Sequence, residues 1–230
     1  MNFSVVLCII CSVFLSQDCF AQKKTVSKTA KTHPAFVEVK DTPGLPRVLL
    51  IGDSISMGYT IPVRKALAGK ANVHRPAENC HRTIDGLENM EKWLGDGKWD
   101  VIHFNFGIHD MTFVEGKVKV PLKQYEENLV EITTRLKKTG AKLIWCSTTP
   151  TPKGARNGRT NENVLAYNAV AKKIMENEGI AIDDLYTFAL KNAKKKIQRP
   201  ADVHFTDAGS QVLARQVSAE ILKQLKSPAK

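Results

Sequence analysis

Short runs of apolar residues alternate along the chain with longer amphipathic segments. An uninterrupted apolar run is typical of a strand buried on both faces, and apolar positions spaced three or four residues apart are typical of a helix. The runs predict strands within RVLLI, ANVHRPA, WDVIHFNFG, KLIWCSTT and IAI. Because helix-length segments separate these runs, the pattern predicts an α/β domain with a parallel sheet covered by helices on both faces.

Proline, glycine and capping residues mark the ends of the predicted helices. Pro121 opens the longest amphipathic segment and Gly140 closes it, as these residues commonly do. Thr206 is the predicted N-cap of the last helix, because its hydroxyl can accept a hydrogen bond from the first turn. The five helices are predicted within IPVRKALAG, IDGLENMEKWLGDG, PLKQYEENLVEITTRLKKTG, NENVLAYNAVAKKIMENEG and TDAGSQVLARQVSAEILKQL.

The first 45 residues differ in composition from the rest. Residues 5–15 form an apolar run that is too short to cross a bilayer, and small residues near Ala21 offer a cleavage site. We therefore predict a signal peptide over residues 1–21, a polar linker over 22–45 and one globular domain over 46–226. The protein is expected to be secreted or periplasmic, without stable membrane insertion after cleavage, and an uncleaved anchor is the alternative.

The formal net charge is +11, which would suit a polyanionic partner. The basic residues, however, are spread over helix-like segments without interleaved aromatic residues or a nucleic-acid-binding motif. We interpret them as a solvated surface and expect no nucleic-acid partner. Cys80 and Cys146 are the cysteines that remain after the predicted leader, and two cysteines are not a disulfide framework. We expect both thiols to be free, because Cys80 follows the second strand and Cys146 lies in the fourth, which we do not expect to be neighbours in the sheet.

Functional residues are expected in the loops beyond the carboxyl ends of the strands, where ligands bind to a parallel sheet. The relevant loops are Gly52-Asp53-Ser54, Asn79-Cys80-His81, Gly107-Ile108-His109-Asp110 and, before the last helix, Asp202-Val203-His204-Phe205. A serine after a strand is more often a helix cap than a nucleophile. A nucleophilic serine needs a base and a group that orients the base. Ser54, His204 and Asp202 can supply all three groups.

The motifs LLIGDSIS, GIHD and DVHFTDAG, in this order, resemble those of the SGNH (GDSL-type) hydrolases over about residues 47–225. The resemblance implies a flavodoxin-like three-layer α/β/α sandwich with a five-stranded parallel sheet of order 2-1-3-4-5. It also implies a serine ester hydrolase that uses no cofactor and no metal. Ser54 would be its nucleophile and His204 its base.

Three positions depart from the family's motifs. His81 stands where the family has a glycine whose N–H donates to the oxyanion hole, and His109 stands where it has an asparagine whose amide donates there. The resemblance thus implies an oxyanion hole of Ser54, His81 and His109. The family's acid precedes the histidine by three residues, but Ala201 occupies that position. Asp202 is therefore the predicted orienting acid, with a backbone carbonyl as the alternative.

The segments MTFVEGKVKV and TPTPKGARNGRTNEN, which follow the third and fourth strands, should form the rim of the site. Both are polar and basic, which favours a short acyl group such as acetate on a carbohydrate or other small polar carrier over a long-chain lipid. We therefore predict a monomeric, secreted carbohydrate esterase. One alternative is a non-catalytic carbohydrate-binding module on the same scaffold. A second is a metal-dependent hydrolase with the candidate ligands His81, His109, Asp110, Asp202 and His204.

Overall fold

A parallel sheet forms the centre of the protein. The computed structural model describes Met1 and residues 32–227; the rest of the predicted signal peptide and residues 22–31 of the predicted linker lie outside the described residues. In the described part, the strands are β1 Arg47–Ile51, β2 Asn72–His74, β3 Val101–Phe104, β4 Phe113–Val114, β5 Lys117–Val118, β6 Lys142–Cys146 and β7 Ala181–Asp183.

The order of the strands in the main sheet is β2-β1-β3-β6-β7, and all its pairings are parallel. The predicted order 2-1-3-4-5 is confirmed, because β6 and β7 are the fourth and fifth strands of this sheet. Strands β4 and β5 pair with each other as a separate antiparallel hairpin, which the pattern of the sequence does not predict. The predicted flavodoxin-like sandwich is confirmed as well.

Six α-helices flank the sheet within the described residues: α1 Ser54–Ala66, α2 Thr83–Leu94, α3 Leu122–Lys138, α4 Asn161–Asn177, α5 Leu185–Lys191 and α6 Asp207–Lys226. The predicted ends of α3 are confirmed, with Pro121 as N-cap and Gly140 at a φ of +74°. Thr206 Oγ1 accepts from the N–H of Gly209 (3.0 Å), which confirms the N-cap of α6. In this part of the chain, no helix combines the length and the apolarity needed to cross a bilayer.

Alternating side chains of the strands divide the core into two apolar layers. Leu49 and Ile51 of β1 pack with α2, α3 and α4, whereas Val48 and Leu50 of the same strand pack with α1, α5 and α6. Burial on both faces explains why the strands are uninterrupted apolar runs. Cys80 and Cys146 are both free, as predicted, and both are buried.

The described end of the predicted linker, residues 32–45, contacts the domain. A short 3-10 helix over Pro34–Phe36 buries Ala35 completely, and the Phe36 ring lies under the guanidinium of Arg75 at 5.4 Å. The N–H of Thr42 donates to Asn72 Oδ1 (2.9 Å) beside β2. These contacts fix this end of the segment against the edge of the sheet.

Arg75, directly after β2, is a buried cation with an exposure of 8%. Its guanidinium donates to the carbonyls of Gly52 and Glu78, each at 3.1 Å. It also donates to the hydroxyls of Ser56 (3.0 Å) and Thr60 (3.2 Å) on α1. Burial lowers the pKa of Arg75, but a guanidinium stays protonated in proteins. The side chain thus joins the turn after β1 to the loop after β2.

The variant Arg75→Met should lower the free energy of unfolding by about 3 kcal/mol, because it removes all the hydrogen bonds that this buried cation donates to the two loops and to α1. Urea denaturation followed by tryptophan fluorescence measures the loss. Arg215→Met is the control, since Arg215 is an exposed arginine of α6 whose loss should change stability by less than about 0.5 kcal/mol. Equal stabilities of the two variants would contradict the role given to Arg75.

Candidate active site

Ser54 lies where β1 turns into α1 and is the first residue of that helix. Asp53 precedes it as N-cap, and its carboxylate accepts from the N–H of Ile55 (2.8 Å). The first N–H groups of a helix have no partner inside the helix. The N–H of Ser54 is such a donor, and among the described residues it has no other acceptor. The turn therefore presents both a hydroxyl and an N–H beyond the sheet.

His204 and Asp202 complete a chain of contacts that begins at Ser54. Ser54 Oγ lies 2.8 Å from His204 Nε2, and His204 Nδ1 lies 2.7 Å from Asp202 Oδ1. Burial opposes ionisation of Asp202, but hydrogen bonds from the backbone and ring of His204 outweigh it and lower the pKa of this carboxyl. Asp202 is therefore ionised at neutral pH and can hold the ring of His204.

A tight turn accounts for the position of the acid two residues before the histidine. The N–H of Arg199 donates to the carbonyl of His204 (3.0 Å), which closes the turn. Ala201 adopts a φ of +52°, in the left-handed region that non-glycine residues rarely occupy. The N–H of His204 donates to the same Asp202 oxygen that the ring contacts (3.1 Å). Asp202 thus contacts the ring of His204 although the two residues are only two positions apart in the sequence.

His81 and His109 lie against each other, with ring centroids 4.9 Å apart and planes at 90°. His81 has a φ of +44°, in the left-handed region that favours glycine. Its N–H donates to Asn79 Oδ1 (3.1 Å), so this predicted oxyanion donor has an acceptor already. The preceding N–H, that of Cys80, donates to the carbonyl of Gly52 (3.3 Å), which ties this loop to the turn that carries Ser54.

His109 belongs to the loop after β3. Burial lowers the pKa of its ring; the Asp53 carboxylate opposes this effect, while the cations Arg159 and Lys119 add to it. The ring is consequently neutral at pH 7 and carries one N–H donor. In the described part of the chain, neither ring nitrogen makes a hydrogen bond. His109 therefore retains a free donor, whereas the N–H of His81 is engaged.

Asp110 fixes the loop that carries His109 to the start of α2. Its Oδ1 accepts from the N–H (2.9 Å) and the hydroxyl (2.6 Å) of Thr83, and its Oδ2 is buried without a partner. Burial raises the pKa of Asp110 to about 7. Gly107, at the start of the loop, has a φ of +147°, and a Cβ there would lie 2.5 Å from Thr148 Oγ1, so the turn requires glycine.

The five candidate metal ligands are not gathered into one cluster. Within the described residues, one group of three potential ligand side chains has its atoms within 4.8 Å of one another, and its members are His103, Cys146 and Asp183. His103 Nε2 lies 3.0 Å from Asp183 Oδ2, and both side chains face the layer of α1 and α6. This buried group shares no residue with the predicted ligand set.

Two arginines near the site were not identified from the sequence. Arg75 supports the turn of Ser54, and a basic residue directly after a buried strand was the signal that could have found it. Arg159 lies in the rim segment after β6, and its Nε donates to the carbonyl of Ile108 (2.8 Å). The sequence gives no indication that this arginine, among the several cations of its loop, turns toward His109.

The GDSL-like lipase/acylhydrolase family model matches residues 50–212 of this chain. The chain belongs to this family. The match contains GIHD, DVHFTDAG and all but the first residue of LLIGDSIS, and the predicted membership is confirmed. As a GDSL-like hydrolase, the protein is a carboxylic ester hydrolase, in agreement with the predicted class of enzyme.

Solved structures with the same fold include several esterases. The acetyl xylan esterase AlAXEase is 17% identical with a TM-score of 0.65, over 76% of this chain and 99% of its own. The lipase/acylhydrolase from Enterococcus faecalis is 20% identical with a TM-score of 0.67, over 81% and 99%. An acetylxylan esterase from Geobacillus stearothermophilus is 19% identical with a TM-score of 0.63, over 80% and 95%. Among curated proteins, no sequence matches this GDSL-like hydrolase.

If Asp202 is the predicted orienting acid, the variant Asp202→Asn should lower kcat by about 10²-fold or more, because an amide cannot stabilise a protonated His204 ring. Hydrolysis of p-nitrophenyl acetate measures the loss. Asp207→Asn is the control, since it removes an exposed carboxylate in the first turn of α6 and should leave kcat within about twofold. A kcat of Asp202→Asn within this same range would assign the orienting role to another acceptor.

Asp110 should make stability depend on pH. The folded protein holds a proton on this carboxyl up to about pH 7, whereas the unfolded chain releases it near its ordinary value of about 4. The stability that the proton contributes is therefore present at low pH and is lost as the pH rises through 7. Asp110→Asn resembles the protonated form and does not titrate.

Between pH 5 and pH 7, the free energy of unfolding of the wild type should thus fall by about 2 kcal/mol relative to that of Asp110→Asn. Urea denaturation at both pH values measures this difference. The exposed Asp96 provides the control variant Asp96→Asn, whose stability relative to the wild type should not change with pH. A constant difference for Asp110→Asn would mean that Asp110 is ionised throughout.

Proposed function

We propose that this GDSL-like hydrolase is an exported serine esterase that removes short, acetyl-like acyl groups from a carbohydrate. The observation that supports the chemistry is the continuous chain of contacts from Ser54 Oγ to His204 Nε2 (2.8 Å) and from His204 Nδ1 to Asp202 (2.7 Å). This arrangement provides a nucleophile, a base and a group that orients the base.

In the first half of the reaction, Ser54 Oγ attacks the carbonyl carbon of the ester and transfers its proton to His204 Nε2. Asp202, which accepts from Nδ1–H, stabilises the positive charge that develops on the ring. The tetrahedral intermediate collapses when the bond from carbon to the alcohol oxygen breaks. His204 returns its proton to that oxygen, the alcohol leaves, and the acyl group remains on Ser54.

In the second half, a water molecule attacks the acyl carbon while His204 removes its proton. The bond to Ser54 Oγ then breaks, the serine regains a proton from His204, and the carboxylic acid leaves. Both halves place negative charge on the former carbonyl oxygen. The N–H of Ser54 and the ring N–H of His109 are the proposed donors to it, and each such donor typically contributes about 2.7–4 kcal/mol.

His81 is the third proposed oxyanion donor. Its N–H contributes only when the oxyanion displaces Asn79 Oδ1, which accepts from it at 3.1 Å. The positive φ of His81 supports the role, because the backbone has the conformation that the family's glycine would adopt. The exchange of one acceptor for another makes His81 a weaker donor than Ser54.

The openness of the site supports a large polar carrier. The side chains of His204 and Asp202 are 41% and 37% exposed, so the reacting groups lie near the surface, where a sugar chain can reach them. The rim segments are polar and basic, which disfavours a long acyl chain. Two structural neighbours are described as acetyl xylan esterases, and their names support an acetylated saccharide as the substrate.

Export is supported by the apolar run of residues 5–15 and by the small residues around Ala21. A polysaccharide cannot enter a cell intact, so an enzyme that deacetylates one acts outside the cytoplasm. The predicted leader and the predicted substrate are thus consistent with each other.

Ser54→Ala should lower kcat for p-nitrophenyl acetate by about 10⁴-fold or more, because the hydroxyl forms the bond to the acyl carbon. For the wild type, kcat/KM should fall by about tenfold from acetate to octanoate, a difference of about 1.4 kcal/mol. EDTA should leave both values unchanged. Acetate release from acetylated xylo-oligosaccharides, measured in parallel, tests the carbohydrate carrier.

Ser227→Ala is the control, because Ser227 lies at the far end of α6, and it should retain the wild-type kcat. Equal rates for the wild type and Ser54→Ala, both shown to be folded by circular dichroism, would favour the non-catalytic binding module. Loss of activity in EDTA would favour the metal-dependent hydrolase. A kcat/KM that rises with acyl length would contradict the short-chain assignment.

A further inference from the structure

Arg159 lies at the rim of the candidate site and is held against the loop that carries His109. Its Nε donates to the carbonyl of Ile108, the residue before His109, at 2.8 Å. The segment around it is fixed as well: the N–H of Phe113 donates to the carbonyl of Asn157 (2.9 Å). Gly158 packs so closely on Phe113 that a Cβ there would lie 2.7 Å from the Cβ of Phe113. Arg159 therefore extends from a loop that is fixed by its contacts with Phe113.

The Nε–H of Arg159 donates to the carbonyl of Ile108, whereas its two terminal amino groups are available for another partner. In the described residues, its two terminal amino groups donate no hydrogen bond, and no carboxylate lies within 4.0 Å of it. The side chain is half-buried. A partly desolvated cation without a counter-ion is unfavourable by itself and is stabilised by an anionic partner.

The charge of Arg159 interacts with those of three groups of the candidate site. Its positive charge helps to lower the pKa of His109, and the carboxylates of Asp53 and Asp202 partly offset the lowering of its own pKa by burial. The guanidinium remains protonated, as in all proteins. The positive charge of Arg159 thus acts on Asp53 beside Ser54, on His109 and on Asp202.

Two more cations lie near the candidate site. Lys119, after the hairpin of β4 and β5, acts on the ring of His109, and Arg199, in the turn before His204, acts on Asp202. Both belong to a chain with a net charge of +11. Clustered cations around a site raise the local concentration of anions and increase their rate of association.

We propose that Arg159 binds an anionic group of the substrate, a carboxylate or a sulfate ester, on the sugar that carries the acyl group. The terminal amino groups of a guanidinium form two parallel hydrogen bonds to the oxygens of either group. The substrate class is therefore an acylated acidic saccharide, such as an acetylated uronate or an acetylated sulfated sugar. This inference rests on the proposed esterase activity and names its carrier.

Matched aryl acetates test the proposal with the full-length protein. The pair 4-acetoxybenzoate and methyl 4-acetoxybenzoate differs in the charge of a carboxylate, and the pair 4-acetoxybenzenesulfonate and 4-acetoxybenzenesulfonamide differs in the charge of a sulfonate. For each pair, the ratio of kcat/KM for the anionic ester to that for the neutral ester is compared between the wild type and Arg159→Gln. This comparison cancels the intrinsic reactivity of each ester.

Arg159→Gln should reduce the ratio by about tenfold for the anion that fits, because it removes a charge-assisted pair of hydrogen bonds. The pair that shows the larger loss distinguishes a carboxylate from a sulfate ester. Arg156→Gln is the matched control, since it removes an exposed cation of the same loop and should change the ratio by less than about twofold. The ratio should also fall in the wild type when the salt concentration is raised.

Failure of the proposal is distinguishable from failure of the esterase activity. If the wild type hydrolyses p-nitrophenyl acetate in a Ser54-dependent way but Arg159→Gln leaves both ratios unchanged, the anion site is wrong and the esterase stands. If Arg156→Gln reduces the ratios as much as Arg159→Gln, the preference comes from overall charge and Arg159 is not the binding residue. If the wild type hydrolyses none of the esters, the proposed activity itself is overturned.

Discussion

The buried guanidinium of Arg75 is the interaction on which the geometry of the site depends. It crosslinks the carbonyl of Gly52, two residues before Ser54, to the carbonyl of Glu78 in the loop that leads to His81. Loops cannot bury unpaired carbonyls without a large cost. The guanidinium of Arg75 pairs with both carbonyls, and the N–H of Cys80 adds a second hydrogen bond to that of Gly52. The turn that carries Ser54 and the loop that carries His81 therefore share one rigid support.

The sheet then determines which distant residues meet. Strands β1 and β3 are neighbours, so their following loops bring Ser54 and His109 to the same edge, while His204 arrives from a turn 150 residues after Ser54. That turn precedes α6, which packs on α1, the helix that Ser54 begins. Packing of these two helices thus fixes the distance between Ser54 and His204, and a change in their contact would act directly on the 2.8 Å hydrogen bond.

The sequence predicted the parallel sheet and the three groups of the candidate triad because these features carry strong local signals, whereas the order of the strands was implied by the resemblance to the SGNH hydrolases. Uninterrupted apolar runs identify buried strands, and the GDS and DVHFTDAG motifs have fixed positions relative to them. The hairpin of β4 and β5 was missed because two-residue strands have no periodicity. The free N–H of Ser54 could be expected from its position at the start of a helix. The hydrogen bond from the N–H of His81 to Asn79 Oδ1, by contrast, depends on one side-chain rotamer. Tertiary packing determines such a contact, and no pattern of residues in the sequence predicts it.

His81 and His109 replace the family's glycine and asparagine at the proposed oxyanion hole. The two replacements are compatible with that role because the ring of His109 stays neutral. Burial is the larger cause of its lowered pKa, and the cations Arg159 and Lys119 contribute less. An anion bound to Arg159 would cancel part of the cationic contribution but would leave the effect of burial unchanged. The ring can therefore donate to an oxyanion while the neighbouring guanidinium binds an acidic sugar. Recognition of an anionic carrier and stabilisation of a second negative charge at the reacting carbon can thus coexist in one small site.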